Sequence, residues 1–202
     1  MPLVYALDGI TPVIDPSSFV HPSAVLIGDV IIGPDCYIGP CACLRGDFGR
    51  LIVEKGCNIQ DNVVIHTDPG WDTLLEENSH IGHSAVLHCC FVRKNAMVGI
   101  GAVVMDRAEI GSEAMVGAQS FIKADFKVPP RTLVTGIPAR IVGDISPERI
   151  TRKTQGTQEY QHLTKRCKDG MKAVESLSAV DEGRKRMPPY THIAPAGSKV
   201  EK

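Results

Sequence analysis

The sequence predicts an all-β protein that ends in α-helical structure: a parallel β-helix of triangular cross-section, with a C-terminal helix packed along it. Aliphatic residues recur at every sixth position over long stretches between Val20 and Val134, which fits neither an amphipathic helix nor a simple alternating strand. Glycine follows many of these aliphatic residues. Beyond residue 145 the apolar residues recur at threes and fours, which is typical of a helix. We therefore divide the chain into a β-helix domain, residues 1–145, and a C-terminal helical segment with a flexible tail, residues 146–202.

The repeat can be followed along most of the chain. Its aliphatic positions are Val20, Leu26, Ile32, Ile38 and Leu44, then after a slip of three Val53, Ile59 and Ile65, then Ile81 and Leu87, and with one residue dropped Val92, Val98, Val104, Ile110, Val116, Ile122, Val128 and Val134. A period of six fits a short strand and a corner, with one inward aliphatic residue per side and glycine where the backbone must bend. If three sides close one coil, about eighteen residues bring the chain back over itself, ~4.8 Å higher.

Composition excludes several classes of protein. With 202 residues, 43% of them hydrophobic and 22% charged, the chain can bury the core of one domain and is not disordered throughout. No apolar run approaches the ~20 residues of a membrane-spanning helix, and the first residues lack a secretory signal. The odd count of seven cysteines indicates reduced thiols, most of which fill core positions. We expect a cytoplasmic protein that binds neither membranes nor nucleic acid.

Two features predict helices after the β-helix. Ser146, Pro147 and Glu148 provide an N-cap, a proline at the first helical position and an acid in the first turn. A second helix is predicted from Thr157 to about Leu177, with an apolar stripe that would cover the β-helix: Tyr160, Leu163, Cys167, Met171, Val174 and Leu177. From Ser178 onward the chain is polar, and we expect it to be loose or ordered by a partner. The excess of basic residues in this C-terminal region forms either a solvated face or a surface for an anionic ligand.

Three of the seven histidines, His66, His83 and His88, form a candidate metal centre. Three neutral imidazoles with an open fourth position are what a catalytic zinc ion needs. His83 and His88 are separated by about 16 Å of extended chain, so one chain would struggle to bring both to the same ion. His66 and His88 are 22 residues apart and could stack on one side of the prism, while His83 faces another side. A homotrimer would solve this, because each of three equal interfaces could join histidines from two chains.

The chain resembles the hexapeptide-repeat proteins, whose β-helix is left-handed, and Gly136-Ile-Pro-Ala-Arg140 resembles the closing motif of such domains. Nearly the whole chain is similar to the γ-class carbonic anhydrase-like proteins. The matching residues are Arg45-Gly-Asp47, Asn58-Ile-Gln60-Asp61, His66, Gly82-His83 and His88. The resemblance implies that the three histidines bind Zn²⁺, with Fe²⁺ or Co²⁺ as alternatives, across the interfaces of a homotrimer.

The same resemblance implies roles for the residues around the metal. Gln60 would hydrogen-bond the metal-bound hydroxide, and Arg45, Asp47 and Asp61 would make intersubunit and supporting contacts. A structural ion pair is the other interpretation of Arg45 and Asp47. Tyr160 corresponds to a tyrosine near the metal in several relatives, and a packing residue on a helix is its other interpretation.

The C-terminal segment resembles one branch of this family in particular. Lys153-Thr-Gln-Gly-Thr-Gln-Glu-Tyr-Gln161 is similar to the phenylacetic acid degradation branch and to the carnitine operon branch, and Gly183-Arg-Lys-Arg186 favours the former. The resemblance implies a thioesterase that hydrolyses ring-derived acyl-CoA esters in phenylacetate degradation. Hydroxide supplied by the metal would attack the thioester, and cations of the C-terminal tail would meet the CoA phosphates.

The chain also departs from the family pattern near the predicted metal ligands. Phe48 stands where the archetypal γ-class enzyme has an active-site glutamate, and the acidic proton-shuttle loop is absent, which disfavours fast CO₂ hydration. Thr67-Asp-Pro-Gly70 and Cys89 are further departures. Three other functions remain open: a carbonic anhydrase acting on CO₂ and bicarbonate, a hexapeptide acyltransferase that needs a catalytic histidine but no metal, and a non-enzymatic trimeric accessory protein.

Overall fold

The structure is a computed structural model that describes residues 2–187. Within that range the chain forms twenty strands and one helix. The strands are β1 (Leu3–Tyr5), β2 (Val13–Ile14), β3 (Phe19–Val20), β4 (Val25–Ile32), β5 (Tyr37–Ile38), β6 (Cys43–Val53), β7 (Asn58–Ile59), β8 (Val64–His66), β9 (Thr73–Leu75), β10 (His80–Ile81), β11 (Val86–His88), β12 (Phe91–Val92), β13 (Met97–Val98), β14 (Val103–Val104), β15 (Glu109–Ile110), β16 (Met115–Val116), β17 (Phe121–Ile122), β18 (Lys127–Val128), β19 (Thr132–Gly136) and β20 (Ala139–Asp144), and the helix is α1 (Pro147–Gly170).

The strands stack into three faces. The first face contains β6, β8, β11, β14 and β17, and the second contains β6, β9, β12, β15 and β18, because the long strand β6 continues around the corner between them. The third face is a separate sheet of β3, β5, β7, β10, β13, β16, β19 and β20. Its strands pair in parallel apart from the antiparallel hairpin of β19 and β20. The predicted three-sided parallel β-helix is therefore confirmed, while its left hand stays a prediction.

The aliphatic residues of the repeat form the core. From Leu26 to Val134 every repeat position is at most 3% exposed. Val20, the first repeat position, is partly buried and packs against the same core. Full burial of one such side chain stabilises the fold by about 1.5–3 kcal/mol. Small residues fill the remaining inner positions, among them Ala85, Ala102 and the buried thiols of Cys36 and Cys57. Thin coils of this kind leave little interior space for aromatic rings.

Glycine has a different role at the corners from the one that the sequence predicted. Many corner residues with left-handed backbone carry side chains, for example Asn62 at φ 60° and Asn95 at φ 57°. The repeat glycines instead let neighbouring coils approach each other. A Cβ atom on Gly99 would lie 2.6 Å from the backbone nitrogen of Ala118, which is closer than any real contact. These glycines are therefore required by the spacing of the coils rather than by the bend.

The C-terminal segment forms one helix where the sequence predicted two. The helix α1 runs without a break from Pro147 to Gly170, so the predicted second helix over 157–177 ends early and is continuous with the first. Ser146 caps the helix as predicted, since its hydroxyl accepts a hydrogen bond of 3.3 Å from the backbone nitrogen of Arg149.

The fully buried side chains of α1 are polar, whereas the residues of the predicted stripe that lie within the helix, Tyr160, Leu163 and Cys167, are partly buried. The helix lies against β3, β5 and β7 on the third face, and its buried residues are Lys153, Thr157 and Thr164. The Lys153 ammonium donates to the Asn78 carbonyl and to Asn95 Oδ1, both at 2.7 Å. Burial lowers the pKa of Lys153 to about 7. Hydrogen-bonding side chains pack here because the corners beneath the helix present amide and carbonyl groups that need partners.

Residues 171–187 follow the helix and are exposed. They include three residues of the predicted stripe, Met171, Val174 and Leu177, which lie beyond the end of the helix and are exposed. The predicted tail begins at Ser178, and its residues 188–202 lie outside the described range. No helix among residues 2–187 has the length and apolar character needed to cross a membrane.

Candidate metal centre

His66 and His88 end two neighbouring strands of the first face. They close β8 and β11, which pair in parallel with the two histidines as register partners. The ring centroids are 5.2 Å apart, and His66 Nδ1 lies 3.1 Å from His88 Nε2. One chain thus stacks these two imidazoles on one side of the β-helix, which their separation of 22 residues allowed.

A carboxylate holds each of these histidines at its other ring nitrogen. Asp47 Oδ1 lies 2.8 Å from His66 Nε2, and Asp106 Oδ1 lies 2.5 Å from His88 Nδ1. Arg45 donates from Nε to Asp47 Oδ2 at 2.9 Å, and its terminal nitrogen Nη2 lies 3.3 Å from His66 Nε2. Partial burial raises the pKa of Asp47, but the hydrogen bonds from Arg45 and His66 outweigh it and hold that pKa below its ordinary value.

This arrangement fits a cation of the zinc class. Two imidazole nitrogens bound to one tetrahedral zinc ion are about 3.3 Å apart, close to the 3.1 Å between His66 Nδ1 and His88 Nε2. Metal-bound histidines commonly donate their outer N–H to a carboxylate, which is the position of Asp47 and Asp106 here. His66 and His88 are therefore the histidines of this chain that would share such an ion.

His83 lies at the other edge of the first face. It occupies the corner between β10 on the third face and β11 on the first, where its Nδ1 is 3.1 Å from Asp61 Oδ2. The chain from His83 to His88 runs across the face along β11, a path of about 16 Å in extended backbone. The structure does not bring His83 together with His66 and His88 within one chain.

Gln60 lies in a polar group on the third face, beneath α1, and Tyr160 packs onto this group from α1 itself. Gln60 is 3% exposed, and its amide nitrogen donates to Asn58 Oδ1 at 3.0 Å and to His80 Nε2 at 2.8 Å. The Tyr160 ring meets the His80 ring edge-on, with centroids 5.5 Å apart. Burial lowers the pKa of His80 to about 3, so this imidazole is neutral at physiological pH.

The site residues predicted from the sequence therefore divide into two sets. Arg45, Asp47, His66 and His88 lie at the edge between the first and second faces, whereas Gln60, Asp61, His83 and Tyr160 lie on the third face or at its corner with the first. One chain carries both sets at opposite edges of the first face. A centre containing all three histidines would need residues from two copies of the chain.

The departures from the family pattern lie together beside these histidines. The backbone nitrogen of Asp68 donates to Cys89 Sγ at 2.9 Å, and Asp68 Oδ1 lies 3.8 Å from His88 Nε2. The Phe48 ring lies 5.5 Å from the His66 ring between centroids and is more than half exposed. Residues that look unrelated in the sequence are thus neighbours around one pair of imidazoles.

Asp106 and His80 are site residues that the sequence analysis missed. Asp106 follows His88 by 18 residues, which is one coil, so the repeat period would have identified it as the residue stacked on His88. His80 gives a weaker signal, since its partners Asn58 and Gln60 precede it by 22 and 20 residues across an irregular coil.

The fold and the repeat define the class of protein. A family model described as "Bacterial transferase hexapeptide (six repeats)" matches residues 11–46. The carnitine operon protein CaiE from Proteus sp. (strain LE138) is 48% identical over 194 residues, which is 96% of this chain and 98% of that protein. CaiE from Escherichia coli (strain K12) is 48% identical over 191 residues, 95% of this chain and 97% of that protein.

Solved structures agree with this assignment. A hexapeptide transferase family protein from Anaplasma phagocytophilum has a TM-score of 0.78 and 36% identity, covering 81% of this chain and 96% of its own. A putative acetyltransferase from Bacillus cereus has a TM-score of 0.82 and 30% identity, covering 83% of this chain and 98% of its own. The chain belongs to the hexapeptide-repeat family and, within it, to the group of the carnitine operon protein CaiE. The closer similarity to the phenylacetic acid degradation branch stays a prediction.

Proposed function

We propose that the protein is a metal-dependent hydrolase of the γ-class carbonic anhydrase type that acts on acyl-CoA thioesters as a homotrimer. The observation that carries the proposal is the pair of imidazole nitrogens of His66 and His88, 3.1 Å apart and each backed by a carboxylate. The chemistry that a zinc-class ion supplies at such a pair is hydroxide near neutral pH and polarisation of a carbonyl oxygen. Thioester hydrolysis adds water across the C–S bond and releases a carboxylic acid and the CoA thiol.

The first face has the composition of a surface that a second copy of the chain would cover. Val64 and Val86 are register partners that point outward beside the histidines, and each is 38% exposed. Cys43 and Val103 continue the same row in register. An apolar row between two polar edges is typical of a subunit interface. In a three-fold assembly, the His83 edge of one copy would meet the His66 and His88 edge of the next.

Gln60 is suited to hold the reacting water. An amide NH₂ group has two protons, and those of Gln60 are directed to Asn58 and His80. Its carbonyl oxygen Oε1 is therefore the atom that would accept a hydrogen bond from the water. Because His80 is neutral, it fixes the amide without adding a charge to the site.

Arg45 and Phe48 are suited to receive a thioester rather than CO₂. The Arg45 guanidinium, held by Asp47, places positive charge beside His66, where negative charge would develop on a carbonyl oxygen. The exposed Phe48 ring offers an apolar surface for an acyl group at the position where the archetypal enzyme has a glutamate. We propose a ring-derived acyl-CoA of phenylacetate degradation as the first substrate to test. An acyl-CoA of carnitine metabolism is the second, because the similar proteins are carnitine operon proteins.

Mixing inactive variants tests this proposal. His83→Ala and His88→Ala damage opposite edges of the first face, so a mixed trimer regains one interface with all three histidines. Random reassembly of equal amounts should restore about a quarter of wild-type thioester hydrolysis. His66→Ala mixed with His88→Ala is the matched control and should stay inactive, because these histidines lie on the same edge. Trimeric mixtures that regain nothing in the first case, or that regain activity in the control, would contradict the shared site.

An acyltransferase is the second candidate, because the similar solved structures carry transferase or acetyltransferase descriptions. A transferase would consume the acyl-CoA only when an acyl acceptor is added, and removal of metal with a chelator would leave its rate unchanged. The proposed hydrolase would consume the acyl-CoA without an acyl acceptor and would lose its activity when a chelator removes the metal. Turnover of CO₂ but not of thioesters would identify a carbonic anhydrase, and bound metal without either turnover would identify an accessory protein.

A further inference from the structure

Four metal-binding side chains of different chemistry meet within one chain beside the first face. Asp68, His88, Cys89 and Asp106 each offer one ligand atom, and these atoms all lie within 4.8 Å of one another. The ligand atoms around one tetrahedral zinc ion are about 3.3–3.8 Å apart, so the group needs to contract by about 1 Å to enclose one ion. Imidazole, thiolate and carboxylate are the three ligand types that zinc-class ions take in proteins.

Three separate parts of the backbone position this group. Cys89 directly follows β11 in a left-handed conformation, φ 44°, and its Sγ accepts the hydrogen bond of the Asp68 backbone nitrogen. The loop that carries Asp68 is held by the Thr67 hydroxyl, which donates to the Trp71 carbonyl at 2.9 Å. Asp106 comes from the next coil and reaches the ring of His88. A loop and two coils therefore bring four potential ligand atoms within 4.8 Å of one another.

Burial within the group suits a cation that enters from solvent. Cys89 is 1% exposed and forms the floor, whereas the Asp68 side chain is 51% exposed and forms the mouth. The side chains of His88 and Asp106 are 25% and 27% exposed, between these two extremes. We propose that these four residues form a second cation site, contained within one chain, for a thiophilic divalent ion such as Zn²⁺ or Co²⁺.

The second site shares His88 with the proposed interface site, and so the two sites exclude each other. His88 Nε2 faces both His66 Nδ1 at 3.1 Å and Asp68 Oδ1 at 3.8 Å. Four protein ligands leave no open position, so an ion held in the second site would not support hydrolysis. The second site would hold the ion when His83 of a second copy is missing. Only the competition between the two sites rests on the proposed function. The existence of the second site does not, because all four of its ligands lie within one chain.

Cobalt binding to the His83→Ala variant tests the second site. That variant loses a ligand of the interface site and keeps all four donors of the second site. Titration of reduced, metal-free protein should reach one Co²⁺ per chain and show a sulfur-to-cobalt charge-transfer band. Adding Cys89→Ser should remove the band and weaken Co²⁺ binding by at least about tenfold. Cys89→Gly, which suits the left-handed backbone, should give the same result if the serine variant folds poorly.

Cys41→Ser in the same background is the matched control. Cys41 is also a corner cysteine with left-handed backbone, φ 58°, but it is exposed and is not part of the group. It should leave both the band and the stoichiometry unchanged. The proposal is overturned if the His83→Ala protein binds no Co²⁺, if it binds Co²⁺ without a thiolate band, or if the band survives loss of Cys89. These results do not depend on the hydrolysis assays, which decide the proposed function separately.

Discussion

The His66–His88 contact and the His80–Gln60 contact are two imidazole contacts of similar length, 3.1 and 2.8 Å, in very different surroundings. The first lies at an open edge, where the side chains of His66 and His88 are 17% and 25% exposed and carboxylates hold their outer nitrogens. The second lies beneath α1, where burial keeps His80 neutral. The chain covers part of the third face with its own helix and leaves the first face with an apolar row and partly exposed imidazoles.

This difference indicates how the two regions contribute. The polar groups beneath α1 bond to amide, hydroxyl and ring partners within the chain instead of to water, so they contribute to the stability of the fold. The group on the first face keeps its carboxylates and imidazoles accessible, so it is available to a cation or a second copy. Substitution of His80 in the first group should therefore mainly change stability, and substitutions in the second group should mainly change binding.

The largest expected effect is on stability, from His80→Ala. The variant leaves a cavity beneath α1 and removes the acceptor of the Gln60 amide, and we expect a loss of about 2–4 kcal/mol in the free energy of unfolding. His88→Ala, at the half-open edge, should cost less than about 1 kcal/mol in metal-free protein. Urea unfolding at one protein concentration measures both. Equal losses would show that the two regions do not differ as described.

The next effect is the dependence of stability on pH. Burial lowers the pKa of folded His80 to about 3, while the unfolded chain keeps the ordinary value of 6.5. Between these values the unfolded chain binds the extra proton, so stability falls as the pH falls. The slope from this residue approaches about 1.4 kcal/mol per pH unit well below pH 6.5, and the loss between pH 6.5 and 5 is about 1.6 kcal/mol.

His80→Gln isolates that contribution, because it cannot take up the proton. The difference in unfolding free energy between wild type and this variant should shrink or reverse in favour of the variant as the pH falls. The charge of Lys153 also lowers the pKa of His80. Lys153 itself should not contribute to the pH dependence in this window, because its folded pKa is about 7 and it is protonated below that pH in both the folded and the unfolded chain. Parallel curves for the two proteins would rule out a neutral, buried His80.

The smallest expected effect is on metal affinity, from the carboxylates behind the histidines. Asp47→Asn and Asp106→Asn keep the shape of the side chain but remove its charge, and each should weaken zinc binding about tenfold, or about 1.4 kcal/mol. Asp125→Asn, which disrupts the exposed pair with Arg107, is the control and should leave affinity unchanged. Competition with a chromophoric chelator measures all three. Affinities equal to wild type in both test variants would mean that these carboxylates do not support a metal ligand.

The core and the coil could be predicted because their signal is local. The six-residue repeat alone predicts that an aliphatic residue such as Ile59 or Leu87 points inward. No information about distant contacts is needed for this prediction. The same period could have located Asp106, one coil beyond His88. The separation of His83 from His88 followed from the length of extended chain between them.

The polar side of α1 could not be predicted in this way. The spacing of apolar residues by three and four positions predicted a stripe that includes Leu163, and Leu163 is partly buried. The same spacing gave no sign that the helix also buries Lys153, which bonds to Asn78 and Asn95, 75 and 58 residues earlier in the chain. No local pattern records that these corner amides lie beneath the helix. The helix also ends at Gly170, so the later apolar residues of the stripe lie beyond it and are exposed.

Periodicity along the chain was thus sufficient to predict the three-sided coil and its aliphatic core, because neighbours in sequence decide which way a side chain turns. The spacing of 22 residues allowed His66 to stack on His88, and the structure shows that it does. The packed molecule was needed to show that His80 is buried and neutral, and that Asp68 and Cys89 meet beside His88. Both outcomes depend on segments that are far apart in sequence. These segments exclude water and align hydrogen-bond donors only after the coils and the helix have packed.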